Sequence, residues 1–442
     1  MTEAPPLEFL FGLQQHGVKL GLEKIALLCD ALGHPEGSFR SILVAGTNGK
    51  GSVAAIVDTA LQAAGLRTGR FTSPHLVDLE ERFCINGACV SRGDLTSLAQ
   101  VLQNTVGELL TSGNLETPPT FFEATTAIAF MLFQRAGVEV AVLEVGMGGR
   151  FDATNIVSPA ATAITSVDLD HTQFLGKTLP EIAVEKAGVV RSDGLVVTGE
   201  TKPPALDVIR KICRERNARL VEVSQDVSIH VSLRDGLTEL VMTTPHRTYG
   251  PLELSLRGRH QAHNAGIAVR LLEELDDRRP IPKRAIEAGL VKTQWPGRLE
   301  LIRAGERSWA LLDAAHNVAA AAALAQYLKE TYPAGLPLIL AAMRDKDVAG
   351  MLQQLKPVAS RIVCTAPRNP RAWPAEELSR IAARHCPGIS RTVADSPAAA
   401  LEEAWQDNET ICVAGSIYLI GEVRELLASR TTNSASPSAG PE

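Results

Sequence analysis

Four stretches of this 442-residue chain carry residue types that could do chemistry. The first is Val44-Ala45-Gly46-Thr47-Asn48-Gly49-Lys50-Gly51-Ser52. A Gly-rich turn between an apolar run and a helical run aims backbone N–H groups at one point. The helix N-terminus adds its dipole, so the segment reads as an anion cradle. Lys50 can then reach the β- and γ-phosphates of a nucleotide. The GxxxxGK[ST] pattern is not met: Val44 stands where its first Gly would be, and Gly51 where Ser or Thr would follow the lysine. In the standard loop that hydroxyl holds Mg²⁺. Here Ser52, or a hydroxyl elsewhere, must do so. Thr72-Ser73-Pro74-His75 follows a short strand and offers such hydroxyls, although spacing alone reads Ser73 as a turn residue before proline.

The second stretch runs Val142-Leu143-Glu144-Val145-Gly146-Met147-Gly148-Gly149-Arg150-Phe151-Asp152-Ala153-Thr154-Asn155. Glu144 interrupts an apolar run, and an unpaired buried carboxylate is costly. It must pair with a base or a metal. At the carboxyl end of a parallel strand near a nucleotide loop, Mg²⁺ is the natural partner. The glycines let a substrate approach the backbone. The third stretch is Asp168-Leu169-Asp170-His171, followed by a helix ending in Glu185-Lys186-Ala187-Gly188. His171 could ligate a metal or simply be hydrogen-bonded. Lys186 reads as a helix-end lysine favoured by the macrodipole. The fourth set lies further on: Asn264 after His260 and His263, Arg298 after Pro296-Gly297, Asp313-Ala314-Ala315-His316-Asn317, and Gly415-Ser416-Ile417-Tyr418. Asp313 is placed to accept from ribose hydroxyls, and His316 to meet an anion at a helix N-terminus. Each could be a plain cap or turn; together they put polar groups at several strand ends.

These residues need elements to position them. Ser41–Ala45, Val138–Val145, Ala161–Val167 and Leu195–Thr198 read as buried strands. Ser52–Ala64, Phe121–Ala136, Leu179–Ala187 and Ala205–Arg216 read as helices between them. That alternation predicts an α/β fold with a P-loop-type, doubly wound, mostly parallel sheet. Val227–Leu256, with turn signals at Asp235-Gly236 and Tyr249-Gly250, predicts an appended antiparallel β region. Helices are expected at His260–Leu275 and Lys283–Val291. Trp295-Pro296-Gly297 is the linker candidate. Beyond it, strands at Trp309–Asp313, Leu336–Ala341, Arg361–Thr365 and Thr410–Ala414 predict a smaller C-terminal α/β, Rossmann-like domain. The expected division is 1–297, 298–430 and a disordered, Ser/Pro/Gly/Asn-rich tail 431–442.

Composition limits the function classes. The chain has 44 Lys+Arg against 50 Asp+Glu, a net charge of −6, and no basic block, which argues against a nucleic-acid surface. With 45% apolar and 21% charged residues it reads as a globular enzyme. The longest apolar run, around Val318–Leu328, is too short to cross a bilayer. Met1–Pro6 has no signal-peptide pattern, so a cytoplasmic protein is expected. Seven scattered cysteines, without CxxC spacing, suggest neither a disulfide framework nor a zinc site. Most of them read as small buried apolar residues.

Taken together, the motifs resemble the folylpolyglutamate synthase/dihydrofolate synthase family, relatives of the Mur peptide ligases. Four carry the resemblance: Gly46–Ser52, Thr72-Ser-Pro-His-Leu76, Leu143–Asn155 and Glu185-Lys-Ala-Gly188. The Gly-Ser after Lys50 favours this family over the Mur enzymes, which usually place Thr-Thr there and carry an extra N-terminal domain. The resemblance implies that Thr47, Asn48, Gly49, Lys50, Gly51 and Ser52 hold ATP phosphates. Ser73, Glu144 and His171 would bind Mg²⁺, and a carbamylated Lys186 would support a second metal. A monovalent cation is a further cofactor consistent with the family. Asn264, Arg298 and Asp313 would contact ATP from both domains. Thr120, Phe121, Phe122 and Glu123, with Phe151, Asp152 and Ala153, would face the pterin. His316 and Ser416 would receive the incoming glutamate, with Tyr418 beside it.

The implied activity is ATP-dependent addition of L-glutamate to 7,8-dihydropteroate and to folyl-polyglutamate through an acyl phosphate, by a monomer acting on small molecules. The resemblance makes Lys50, Glu144, His171, Lys186 and His316 its catalytic set, with His316 the candidate base for the amine. Polyglutamate extension alone, a Mur-type ligase and a nucleotide-switch binding protein are the alternatives. One departure bears on the dihydropteroate activity. Gly17, in the segment Gly17–Leu22 that would close over the pterin, stands where some bifunctional members carry a hydroxyl residue.

Overall fold

The computed structural model describes residues 5–17, 21–275 and 280–434. They divide into two compact units. One comprises the described residues within Met1–His230, Leu240–Glu253 and Gln261–Thr293; the other, those within Val231–Glu239, Leu254–His260 and Gln294–Glu442.

The first unit is built on eight strands: β1 (Arg40–Ala45), β2 (Thr68–Phe71), β3 (Phe83–Ile85), β4 (Ala88–Cys89), β5 (Val140–Glu144), β6 (Ala161–Ile164), β7 (Leu195–Thr198) and β8 (Arg219–Glu222). Their order is β4-β3-β2-β5-β1-β6-β7-β8. Every pair from β2 to β8 is parallel, while β3 and β4 add an antiparallel edge. β1 and β5 are buried almost throughout, as strands covered on both faces must be. The doubly wound, mostly parallel sheet expected from the alternation is present.

The helices follow their capping chemistry. Thr120 opens the helix Phe121–Arg135 and Thr178 opens Leu179–Ala187, each through a capping box with the glutamate three residues on. The helix Phe121–Arg135 buries Phe130 and Phe133 in a core shared with Leu43, Phe71 and Leu143. Three helices that periodicity did not single out, Pro6–Gly12, Glu23–Ala31 and Arg92–Thr111, contribute Leu10, Leu28 and Leu102 to the same core.

β6 ends at Ile164, three residues before the expected end. Thr165 and Ser166 leave the strand ladder because their polar groups bond the nucleotide-type loop: Thr165 Oγ1 donates to the Asn48 carbonyl at 2.6 Å, and the Ser166 carbonyl accepts from Thr47 N–H at 2.7 Å.

The strands β9 (Ser228–Arg234), β10 (Leu237–Thr243) and β11 (Thr248–Leu254) form a three-stranded sheet of order β11-β10-β9, joined by short turns. This is the β region expected within Val227–Leu256. The second unit carries β12 (Glu300–Arg303), β13 (Trp309–Leu312), β14 (Leu336–Leu340), β15 (Ala359–Cys364), β16 (Ser390–Val393) and β17 (Thr410–Ala414), in the order β12-β13-β17-β14-β15-β16. Only the β12–β13 pair is antiparallel. β12 and β16 are edge strands with no fully buried residue, and they gave little apolar signal. The second unit also takes in residues 231–239 and 254–260. There the Tyr327 hydroxyl donates to the Gly236 carbonyl at 2.9 Å, and Arg259 pairs with Glu330 at 2.9 Å.

The last helix, Ile417–Ser434, continues four residues into the segment that composition assigns to the tail. A formed helix propagates at one hydrogen bond per added residue, so weak formers can ride on its end. Residues 435–442 of that tail, and 18–20 of the segment Gly17–Leu22, lie outside the described residues.

Candidate active site

Three loops of the first unit leave the carboxyl ends of adjacent strands β5, β1 and β6. In a doubly wound sheet this is where ligands bind. The register places Val44 of β1 beside Glu144 of β5 and Ala163 of β6.

The loop after β1 is held from both sides. Thr47 N–H and Asn48 N–H donate to the carbonyl and hydroxyl of Ser166 at 2.7 and 3.2 Å. Thr47 Oγ1 accepts from Asp168 N–H at 3.0 Å. Gly46 and Gly49 have φ of 144° and 87°. A Cβ at Gly46 would collide with Thr165 Oγ1, and one at Gly49 with the Asn264 side chain, so close approach as well as φ demands glycine there. Asn264, buried on the helix Arg259–Glu274, is oriented by Gln261 at 2.9 Å. The helix Lys50–Ala63 starts at Gly49 with no side-chain cap. A helix start leaves the N–H groups of Lys50, Gly51 and Ser52 without intrahelical acceptors. Those three N–H groups are left for an acceptor from outside the helix, whereas those of Thr47 and Asn48 already bond Ser166. Lys50 Nζ turns back to the Thr47 carbonyl at 3.2 Å.

Glu144 is 6% exposed and accepts from Ser73 N–H at 3.2 Å. The structure therefore brings Ser73 and Glu144 together. His171 starts the loop helix Thr172–Leu175 with a left-handed φ of 49°; its backbone N–H donates to Asp170 Oδ1 at 2.8 Å. Among the described residues, no group of three or more His, Cys, Asp or Glu side chains converges as a metal cluster. A site here would need the hydroxyl of Ser73 or a modified Lys186 beside its carboxylate.

Lys186 is 3% exposed and donates to the Gly46 carbonyl at 2.8 Å. Burial, then the charge of Lys50, bring its ammonium down to about 7, against the pull of Asp170, Asp168 and Asp152. This corrects the reading of a helix-end lysine favoured by the macrodipole: the side chain points into the sheet's carboxyl edge. Gly149 and Gly188 explain why two motifs accompany it. A Cβ at Gly149 would lie 2.7 Å from the Lys186 carbonyl, and one at Gly188 would lie 2.9 Å from Arg150 N. Arg150 N–H donates to the Glu185 carbonyl at 2.8 Å, so the two glycine segments lie flat on each other.

Asp152 is 6% exposed. It accepts from Met147 N–H at 2.9 Å, Thr154 N–H at 3.0 Å and Thr154 Oγ1 at 2.6 Å. Burial raises its carboxyl above the usual range despite those bonds. It ties together the loop that carries Phe151, 37% exposed, and Ala153, buried. Thr120 and Glu123, expected to face a substrate, bond each other: Thr120 N–H and Oγ1 donate to Glu123 Oε2 at 2.7 and 2.8 Å. Of that segment, the two aromatic rings are left for contact. Phe121 stacks on Phe11 at 6.2 Å and lies under the Arg82 guanidinium at 5.1 Å. Phe122 packs on Phe71 at 5.8 Å and closes on Gly146. Arg82 Nε donates to His75 Nδ1 at 2.9 Å; burial, then Arg82, lower His75 to about 4. His75 and Phe11 line a cavity of ≈ 170 Å³ with Leu79, Glu80 and Arg92. Arg82 had no motif around it to draw attention.

In the second unit, Asp313 at the end of β13 accepts from Leu299 N–H and Ala315 N–H, both at 2.9 Å. Both carboxylate oxygens are thus already engaged by backbone, and each keeps one lone pair for a ribose hydroxyl. Burial raises its carboxyl although Arg298 opposes the shift. His316 Nδ1 lies 2.9 Å from the Ala314 carbonyl, which places a proton on Nδ1. The helix Val318–Thr331 is capped by Asn317, so His316 stands one residue before the cap. Gly415 N–H donates to the Ala315 carbonyl at 2.9 Å, and Ser416 Oγ accepts from Tyr418 N–H at 3.2 Å. His316, Ser416 and Tyr418 thus share one end of the sheet. Arg371 joins them by donating to the Tyr418 hydroxyl at 2.9 Å. Its only sequence signal was a basic turn, Arg368-Asn369-Pro370-Arg371, after β15.

Residues 95–272 match the family described as Mur ligase middle domain, and residues 297–417 the family described as Mur ligase, glutamate ligase domain. A dihydrofolate synthase/folylpolyglutamate synthase of Bacillus subtilis is 35% identical over 95% of this chain and 97% of its own. Two haloarchaeal relatives, each named a probable bifunctional folylpolyglutamate synthase/dihydropteroate synthase, are 38% and 36% identical, and the chain spans 50% of their length. The structure of Mycobacterium tuberculosis folylpolyglutamate synthase complexed with ADP superposes with a TM-score of 0.88 at 33% identity, over 97% of this chain and 99% of that one. A Yersinia pestis bifunctional folylpolyglutamate synthase/dihydrofolate synthase with Mn, AMPPNP and L-glutamate bound gives 0.81 at 30% identity, over 97% and 99%.

Proposed function

The chain belongs to the dihydrofolate synthase/folylpolyglutamate synthase family of the Mur ligases, and from that premise we propose how its residues carry out an ATP-dependent addition of L-glutamate to a folate carboxylate. The reaction uses ATP and a divalent metal ion. The observation that carries the assignment of roles is the convergence of an uncapped helix start, a buried Glu144 and a buried, readily neutral Lys186 at the carboxyl ends of β5, β1 and β6.

The N–H groups of Lys50, Gly51 and Ser52 receive the ATP phosphates, and Lys50 Nζ swings from the Thr47 carbonyl to the γ-phosphoryl group. Asn264 fixes the loop at Gly49. A divalent ion held by Ser73, Glu144 and His171 neutralises charge that develops during phosphoryl transfer. Glu144 suits this because its buried carboxylate stands at the carboxyl end of β5 beside Ser73. Lys186 suits a second ion only as its carbamate, since an ammonium would repel it.

Phe121, Phe122, Phe151, Asp152 and Ala153 form the pterin side. Thr120 and Glu123 support it by capping the helix. The carboxylate of the bound pterin compound attacks the γ-phosphorus of ATP, giving an acyl phosphate and ADP. Glutamate, held by Ser416, Tyr418, Arg371 and His316, attacks the acyl carbon through its amine; phosphate leaves and an amide forms. His316 is the candidate acceptor for the amine proton. Arg298 and Asp313 serve the nucleotide. The same reading takes the protein as a cytoplasmic monomer acting on small molecules, and assigns it both dihydropteroate and folyl-polyglutamate as acceptors.

ADP release with Mg-ATP and L-glutamate, comparing 7,8-dihydropteroate with tetrahydrofolate, tests the reading. Turnover with both is expected. Turnover with tetrahydrofolate alone would leave a polyglutamate-extending enzyme. Silence with both, and activity on UDP-muramoyl substrates, would overturn it. Exchanging potassium for sodium in the same assay tests for a monovalent-cation requirement.

A further inference from the structure

Five of the seven cysteines are other buried thiols, but Cys84 and Cys89 form a pair. They sit directly opposite each other on β3 and β4, one step from the Asn86-Gly87 turn. Asn86 and Gly87 both have positive φ, 47° and 79°, the conformation of a tight two-residue hairpin. Val90 N–H donates to the Phe83 carbonyl at 2.8 Å, so Phe83 and Val90 are a hydrogen-bonded pair. Cys84 and Cys89 are therefore a non-hydrogen-bonded pair, where Cα atoms lie only about 4.5 Å apart and side chains point to the same face. That spacing falls within the range a disulfide spans without backbone movement. The two sulfurs already stand 3.7 Å apart.

The pair is asymmetric. Cys84 is 1% exposed, whereas Cys89 is exposed at the sheet's edge. Arg70, on the neighbouring β2, donates to Cys84 Sγ at 3.2 Å and is itself paired with Asp58 at 3.2 Å. A guanidinium at that place favours negative charge on either sulfur. The hydrogen bond from Cys84 brings the Cys89 thiol down to about 7; Arg70 adds to this, while burial, Glu81 and Glu80 oppose it. That same hydrogen bond, then burial, holds Cys84 well above the usual thiol range.

We propose that Cys84 and Cys89 form a two-cysteine oxidation site that reacts with hydroperoxides and closes to a reversible intramolecular disulfide. The exposed Cys89 thiolate attacks the distal oxygen of the hydroperoxide; the O–O bond breaks, the alcohol or water leaves with the proton, and Cys89 becomes a sulfenic acid. Cys84 sulfur then attacks Cys89 sulfur, the S–O bond breaks, and water departs with the Cys84 proton. Two thiols are oxidised by two electrons and one peroxide is reduced. Cys84 thereby resolves Cys89 before a second oxidation to the irreversible sulfinic acid.

The test uses the full-length protein treated with hydrogen peroxide and then denatured. Titratable thiols should fall from seven to five. The tryptic peptide Phe83–Arg92 holds both cysteines and should become two hydrogens lighter. Cleavage of that peptide at Asn86-Gly87 should leave the halves joined until dithiothreitol is added. Cys89→Ser, at an exposed position, should slow thiol loss roughly tenfold or more. Cys84→Ala should let Cys89 accumulate as a dimedone-trappable sulfenic acid and then as sulfinic acid. Sulfinic acid on Cys89 of the unsubstituted protein without a linked peptide, a disulfide between two chains, or thiol loss unchanged in Cys89→Ser would each overturn the proposal.

Discussion

Lys186 shows how one side chain's surroundings select its chemistry. With 3% exposure and Lys50 nearby, its ammonium gives up a proton near pH 7, about three and a half units below a free lysine. Only the neutral amine attacks carbon dioxide. Its fraction rises as pH climbs through 7, so activation of bicarbonate-depleted enzyme by bicarbonate should grow over that range. A carbamate resonance should appear with ¹³C-bicarbonate and vanish in Lys186→Ala, whose kcat should drop roughly a hundredfold or more. A resonance unchanged by the substitution would end the carbamate assignment. His75 makes the opposite use of a similar shift. In the unfolded chain it takes a proton near pH 6.5, but in the fold it resists until about 4. The unfolded state therefore binds more protons between those values, and stability should fall as pH drops from 6.5 to 4. Urea midpoints at steps across this window should show the loss, and His75→Gln should flatten it. Midpoints equally steep in the variant would place the proton uptake elsewhere.

Capping and close packing act over whole elements. Thr120 and Glu123 close a buried box at the start of the helix Phe121–Arg135, whose first turn presents Phe121 and Phe122. Thr120→Ala should cost about 1 kcal/mol of stability through the lost cap. If the threonine acts only through the helix, folate KM should rise less than Phe122→Ala raises it. A large KM rise at unchanged stability would make Thr120 a contact residue after all. Gly149 lies against the last turn of the helix Leu179–Ala187, with no room for a methyl group. Gly149→Ala should destabilise by about 1–3 kcal/mol and displace Lys186 along with its helix. Denaturation curves and the carbamate signal, read together, check both consequences.

For the molecule as a whole, ligand linkage is the accessible readout. Mg-ATP at a hundred times its dissociation constant should stabilise the protein by ~2.7 kcal/mol if it binds only the folded chain. Lys50→Ala should remove most of that thermal shift, and chelating the divalent ion should abolish turnover in the unsubstituted enzyme. Arg371→Ala should raise the glutamate KM with little effect on the ATP KM. It donates to the Tyr418 hydroxyl at 2.9 Å, and glutamate brings two carboxylates to be matched. An effect confined to the ATP KM would move Arg371 out of the glutamate site.

The parallel sheet was readable in the order of residues because buried strands are continuous apolar runs and the helices between them carry their caps and glycines locally. The glycine-rich loop after β1 and the buried Glu144 were readable for a related reason: a glycine cluster after a strand, and a carboxylate inside an apolar run, break a local pattern. Edge strands such as β12 and β16 break none, since none of their residues is fully buried. Long-range placement left no such mark. Nothing near Ser73 announces that its N–H meets Glu144, and nothing near Lys186 announces that it turns inward to the Gly46 carbonyl. Thr120 and Glu123, read as ligand contacts, also satisfy each other as a capping box. Cys84 and Cys89 looked like scattered apolar residues until a two-residue turn set them face to face. Such pairings depend on which strands lie side by side, and strand order is settled by packing across the whole sheet.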